Sequence, residues 1–410
     1  MSGRDQFVSL GKNVRQYFRW LTSPQLTKVI SALEAAQPDC ARFVGGCVRD
    51  SLLGDAPKDF DVATTLTPDV ASKALKSAGL RVAPTGIEHG TITAIVDHQG
   101  VEVTTLRADV STDGRRATVA FTQDWAIDAG RRDFTINAIY LTPDGRLFDS
   151  VGGVDDARKR RVRFIGEPED RIKEDYLRIL RFFRFTARFC DLFDEEGLAA
   201  CAALKGGIAK LSAERIGAEM TGILSLPRAA FALEAMAESG VLAEIWETKP
   251  QLQVAKRMKE LDASASAPLM LAALYGEEGD GVARRLRLSN AEKAERSQAL
   301  KAVNQIAAGL DARSVKTMIY RMGKDVVSDS ILLAAARMRI DKVEFKRLRV
   351  AVDEMPAPVL SVSGKHIVDA GVEPGRRVSK ILADIEAQWI EEDFPGEARQ
   401  QEILRDKVTD

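Results

Sequence analysis

Apolar positions along the chain fall first into a helical rhythm and then into short strand-like runs. Ser23 before Pro24 is a favourable helix opening, and Leu26, Val29, Ile30 and Leu33 recur at helical spacing, so residues 23–38 are predicted to form an amphipathic helix. The pattern then shortens. Residues 42–44 and 60–63 read as buried strands, and residues 91–96 and 101–106 flank the polar turn 97–100 as a hairpin. Thr67 and Pro68 open a further helix between them. Up to about residue 162 the chain is therefore expected to be a mixed α/β domain. Beyond Glu167 the strand signals cease, and helical patterns such as 173–189 and 213–224 alternate with short polar breaks, so the remainder is expected to be all helical. Breaks near Pro227 and near Ser289 and Asn290 divide that region.

With 410 residues, 45% of them hydrophobic, the chain has material for more than one core, and two to four domains are expected. The formal net charge is −1, so any nucleic-acid partner must be met by local basic patches. Candidates are Arg115 with Arg116, Arg131 with Arg132, and the run Arg158, Lys159, Arg160, Arg161. Cys40, Cys47, Cys190 and Cys201 form no CxxC pair, and His89, His98 and His366 do not cluster, so neither a zinc site nor a disulfide framework is expected. No run has the length and apolarity of a signal peptide or a membrane span, which points to a reduced, cytoplasmic protein.

The chemistry concentrates in Gly45-Gly46-Cys47-Val48-Arg49-Asp50, followed by Asp59-Phe60-Asp61. Two glycines straight after a strand let the backbone approach a phosphate, and the helix they introduce aims its N-terminal N–H groups at the same place. Asp59 and Asp61, two apart on a strand, project from one face and repel each other unless a divalent cation lies between them; oxygen ligands of this kind suit Mg²⁺. Glu102, in the strand pattern 101–106, supplies a third carboxylate.

This order resembles the signature of the polymerase-beta-like nucleotidyltransferase superfamily, in which a Gly-Gly or Gly-Ser turn precedes an Asp-x-Asp or Asp-x-Glu strand. Further blocks make the resemblance specific: Arg131-Arg132-Asp133-Phe134-Thr135-Ile136-Asn137-Ala138, Asp149-Ser150-Val151-Gly152-Gly153, Glu174-Asp175-Tyr176-Leu177-Arg178, and Ala213-Glu214-Arg215-Ile216. They are similar, in type and order, to the blocks of the bacterial-type (class II) CCA-adding tRNA nucleotidyltransferase and poly(A) polymerase family.

The resemblance implies an α+β multidomain protein: an N-terminal extension 1–22, a catalytic head 23–162, and all-helical neck 163–226, body 227–290 and tail 291–410. It implies catalytic Asp59, Asp61 and Glu102, with Asp59 and Asp61 as ligands of Mg²⁺. Nucleotide binding would fall to Gly45, Gly46, Arg49, Arg132, Asp133 and Asn137. Asp175 and Arg178, three apart on a predicted helix, would read one base: a carboxylate accepts from the exocyclic amino group of C or A, whereas U and G present it a carbonyl. Asp113, Gly114, Arg115 and Arg116 match the flexible loop used when such enzymes switch from C to A. Ser363 to Ile367 and Gly371 to Gly375 resemble the tail block, with a departure at Arg376 and Arg377. The partners implied are tRNA, CTP and ATP, and no membrane. Poly(A) polymerase, a CC-only or A-only enzyme, and an RNA-binding protein with an inactive head remain alternatives.

Overall fold

The computed structural model of the protein describes residues 6–8, 14–113 and 116–409. The expected hairpin forms from β5 (Thr91–Val96) and β6 (Gln99–Thr105). Asp97 and His98 both take positive φ, 47° and 66°, which matches the twist of the flanking strands and lets pairing continue to Val96 opposite Gln99. The turn is therefore tighter than the sequence pattern suggested. Around this hairpin an eight-stranded sheet is ordered β1 (Phe7–Val8), β10 (Leu147–Phe148), β9 (Tyr140–Leu141), β2 (Ala41–Val44), β3 (Asp61–Thr64), β6, β5, β4 (Arg81–Gly86). Its pairs are antiparallel except β3 with β6, which run parallel with Asp61 opposite Glu102. A separate hairpin pairs β7 (Arg107–Asp113) with β8 (Arg116–Phe121).

The short helix α1 (Val14–Tyr17) precedes α2 (Pro24–Ala36), which begins after Ser23 as expected. The Ser23 side chain does not cap it but donates to Gln25. After α3 (Gly46–Leu53) comes α4 (Pro68–Ser77), which packs beside α2 over the sheet. Val29, Leu33 and Leu75 are fully buried there, each worth about 1.5–3 kcal/mol of transfer free energy. On the other side of β2, Val44, Ala63, Leu106, Tyr140 and Phe148 build the core against α5 (Trp125–Gly130). Residues 131–138 follow α5 and contain one 3₁₀ turn, Thr135–Asn137.

Helices take over with α6 (Gly153–Arg158), α7 (Pro168–Glu174) and α8 (Leu177–Phe189). The single helix expected over 173–189 is broken at Asp175, whose φ of −155° is extended. Its carboxylate accepts the Leu177 N–H at 3.1 Å and so opens α8 afresh. The phenylalanines of α8 are core residues: Phe182 stacks on Phe164 with centroids 5.4 Å apart, and Phe185 meets Phe134 at 5.5 Å. This aromatic wedge fixes α8 and turns its arginines outward. Then follow α9 (Glu195–Leu204), α10 (Ala213–Leu224), α11 (Ala229–Glu238) and α12 (Val241–Ile245).

These elements belong to one compact unit, Met1–Glu247; Thr248–Asp410 forms a second. The second contains ten α-helices among its described residues. Near its end Trp389, Ile385, Ile367 and Ile403 share a core, and the Trp389 indole donates to the Pro395 carbonyl at 2.8 Å. Ser363 and His366 close a reciprocal cap on Gly364–Asp369, while Arg376 and Arg377 are exposed at the start of helix Arg376–Glu391. No helix among the described residues is long and apolar enough to cross a membrane.

Candidate active site

Strand β2 delivers the chain into Gly45, whose φ of 72° and ψ of −124° suit glycine alone. The turn leads straight into α3, whose first N–H groups lack helical partners and are free for an anion. A Cβ on Gly45 would lie 3.8 Å from the Asn137 carbonyl oxygen and 3.9 Å from Nη1 of Arg132. The turn, Arg132 and Asn137 therefore face one space.

The carboxylates lie beside it. Asp61 opens β3, whereas Asp59 precedes the strand and is exposed, so the two do not share a strand face as the sequence suggested. They still act together. Burial first, and then the neighbouring charges of Glu102 and Asp59, push the Asp61 carboxyl up to about 6 against the pull of Arg132 and Arg49. Excess negative charge of this kind fits a divalent cation. Among the described residues no group of three or more His, Cys, Asp and Glu forms a metal cage. Small hard cations need none, because one or two carboxylates with substrate phosphates and water complete their shell.

The cations of the site are each set by an acid beneath them. Asp128 accepts from Arg131 at 2.9 Å, from Arg132 at 3.0 Å and from the Tyr140 hydroxyl at 2.6 Å. Burial works to raise its pKa, but Arg132, Arg131 and Tyr140 hold it down at about 2. Asp133 is buried, yet Arg181, which donates at 2.7 Å, together with the Asn137 amide at 3.0 Å, keeps its carboxyl well below the usual range. The four-residue spacing of Asp133 and Asn137 does bring them together, without a helix.

Asp175 and Arg178 each have another partner. Asp175 is paired with Arg215 of α10 at 2.6 Å. Arg178 donates to Glu174 at 2.5 Å and to the carbonyls of Arg171 and Arg131 at 2.8 and 3.2 Å. Both head groups are thus fixed in orientation before any ligand arrives.

A cleft of about 490 Å³ gathers most of the expected residues. Gly45, Gly46, Arg49, Asp61 and Arg132 line it from the sheet side, and Asp133, Asn137, Asp175 and Arg178 complete it. Asp59 and Glu102 do not line the cleft and reach it through Asp61. Asp113 ends β7 and Arg116 begins β8, opposite each other in register, while Gly114 and Arg115 lie outside the described residues. The block beginning at Asp149 is structural: its carboxylate accepts four backbone N–H groups, from Val151 to Val154, at the start of α6.

Arg181, Arg184 and Arg188, assigned no role from the sequence, also line the cleft. With Arg178 they recur at spacings of three and four, the stripe of one helix face, and that was the available signal. Arg215 and Glu219 were missed as partners because their role is visible only when α10 packs on α8.

Comparison with known proteins agrees with this geometry. Residues 41–163 match the poly A polymerase head domain, and residues 193–254 match the family described as "Probable RNA and SrmB- binding site of polymerase A". The chain is 35% identical over 374 residues to the mitochondrial CCA tRNA nucleotidyltransferase 1 of Mus musculus, covering 88% of this chain and 85% of the relative. It is 30% identical over 385 residues to the CCA-adding enzyme of Levilactobacillus brevis, covering 90% and 94%. Its fold matches the crystal structure of the Bacillus stearothermophilus CCA-adding enzyme in complex with CTP, with a TM-score of 0.74 and 26% identity over 97% of this chain and 98% of that one.

Proposed function

The chain belongs to the family of CCA-adding tRNA nucleotidyltransferases, and on that premise we propose that it transfers CMP and AMP from CTP and ATP, without a nucleic-acid template, to the 3′ end of tRNA. The observation that carries the reading is the cleft itself. The Gly45-Gly46 turn, Asp61 and the oriented side chains of Asp175 and Arg178 line one cavity. The RNA 3′-hydroxyl attacks the α-phosphorus of the nucleotide, a new P–O bond forms, and the bond to the β-phosphate oxygen breaks to release pyrophosphate.

Members of the family depend on a divalent metal, and Mg²⁺ is the ion proposed here, held by Asp59 and Asp61 with Glu102 supporting Asp61. A pair of such ions held there would neutralise phosphate charge and lower the pKa of the attacking hydroxyl. The rest falls to the chain. The Gly45-Gly46 turn with Arg49 and Arg132 holds the triphosphate, and Asp133 with Asn137 faces the ribose hydroxyls. Asp175 accepts the exocyclic amino group of C or A while Arg178 donates to the ring, N3 and O2 of C or N1 of A. U and G leave acceptors unpaired, at a cost of about 1–3 kcal/mol for each lost pairing. The loop around Asp113 to Arg116 is proposed to move between C and A addition, and the helical tail, 291–410, to grip tRNA. The compartment proposed is the cytoplasm, where tRNA, CTP and ATP occur together.

The test is restoration of the 3′ end. Purified protein given CTP, ATP and a tRNA lacking CCA should complete it, and a tRNA left unextended rejects the reading.

A further inference from the structure

A circuit of hydrogen bonds begins and ends on α8. Arg181 donates to Oδ2 of Asp133, and the Asn137 amide donates to Oδ1 of the same carboxylate at 3.0 Å. The side-chain Oδ1 of Asn137 in turn accepts from Nη1 of Arg49. Arg49 then donates through Nε and Nη2 to Oδ1 of Asp50, at 2.9 and 2.6 Å. The remaining oxygen of Asp50 accepts from Nη2 of Arg188 at 3.1 Å. Arg181 and Arg188 are two helical turns apart on one face of α8, so a single helix holds both ends. Arg49 and Asp50 are buried, at 5% and 7% exposure, whereas the Arg188 side chain is 39% exposed.

We infer that Arg188 is a positioning residue for the nucleotide triphosphate: acting through Asp50, it fixes the Arg49 guanidinium against the Gly45-Gly46 turn, whatever the base. The inference rests on the function proposed above and deepens it. Arg49 has five N–H donors, and its bonds to Asp50 and Asn137 engage Nε and one on each terminal nitrogen. One donor remains on each. Nη2 lies 3.8 Å from where a Cβ on Gly46 would sit, so that edge faces the phosphate turn. The rings of Phe189 and Phe185, 4.4 and 5.2 Å from the guanidinium carbon, limit its movement. An arginine held this way loses little freedom when a phosphate binds.

Charge supports the same assignment. Arg49 with Asp50 alone is a neutral pair, which attracts a triphosphate weakly; adding Arg188 gives the trio one net positive charge beside the cradle. Arg188 also lies ten residues beyond Arg178, or ~15 Å along α8, too far to read the base. Its effect is therefore expected to be equal for CTP and ATP.

The test uses the full-length protein and Arg188→Gln, which removes the charge but keeps a long side chain over Phe189, with Arg188→Lys as the conservative variant. Arg188→Gln should raise KM for CTP and for ATP by the same factor, about tenfold, the scale of one charge-assisted hydrogen bond. kcat, tRNA affinity, discrimination against UTP and GTP, and the thermal midpoint should stay as in the wild type. Arg188→Lys should recover part of the loss. Added to Asp50→Asn, Arg188→Gln should raise KM little further, because Asp50 carries its effect. A full tenfold increment in that background means that Arg188 acts without Asp50 and overturns the inference, as does an unchanged KM in the single variant. Wild-type protein that extends no tRNA rejects the functional reading instead, so the two failures are distinguishable.

Discussion

Asp61 and Glu102 stand opposite each other in the one parallel strand pair of the sheet, β3 with β6. Register therefore does what sequence distance does not: it brings an acid 41 positions later in the chain beside Asp61, which lines the nucleotide cleft. A slip of one residue would turn Glu102 to the opposite face.

Asp61→Ala should lower kcat for nucleotide transfer by about 10³-fold or more, since electrostatic stabilisation at the reacting phosphate is lost. tRNA affinity, measured by filter binding, should change less than about twofold, because phosphate contacts elsewhere govern it. A chelator should silence the wild type reversibly. Normal turnover in the variant removes the metal assignment.

Arg178→Ala should reduce discrimination against UTP and GTP by roughly 10–100-fold, the equivalent of about 1–3 kcal/mol of base pairing. Arg215→Ala should act in the same direction and less strongly, by releasing Asp175 from its 2.6 Å ion pair. Misincorporation assays with single nucleotides read both. Unchanged selectivity in Arg178→Ala contradicts the base-reading role.

Acid should find the Asp128 network early. Its folded pKa of about 2 lies below the usual carboxylate value, so its contribution is fully present above about pH 4 and is lost as pH falls toward 2. The contribution is about 2 kcal/mol, an order of magnitude from the shift alone. Denaturant titrations from pH 6 to pH 2 should show a steeper loss in the wild type than in Asp128→Asn. Equal slopes count against it.

Gly153→Ala should destabilise the protein by about 3 kcal/mol, the upper range for overpacking. Its Cβ would lie 2.1 Å from the Thr135 carbonyl oxygen, and backbone cannot move aside cheaply. A thermal midpoint within a degree of the wild type contradicts the close approach.

The fold was largely legible where the pattern was local. Periodicity found α10 with its observed bounds, 213–224, because burial of one face dictates it, and short apolar runs marked the strands before and after the Gly45-Gly46 turn, which are buried on both faces. It missed the break at Asp175, since an aspartate that restarts a helix with its side chain looks, in sequence, like any polar residue within one. The cleft residues quoted from motifs came together, but their partners did not announce themselves. Asp50 and Glu219 act through contacts to Arg188 and Arg184 that exist only after α3 and α10 have packed on α8, and no spacing along the chain encodes those distances.

The most direct measurement is incorporation of each nucleotide, then CTP with ATP, into tRNA transcripts ending at the discriminator base, after C, and after CC, beside an unstructured RNA. The account predicts C on the first two ends, A on the third, and a stop once CCA is complete, with the unstructured RNA left alone. Runs of A on the unstructured RNA, or C-only or A-only transfer on tRNA, would contradict it.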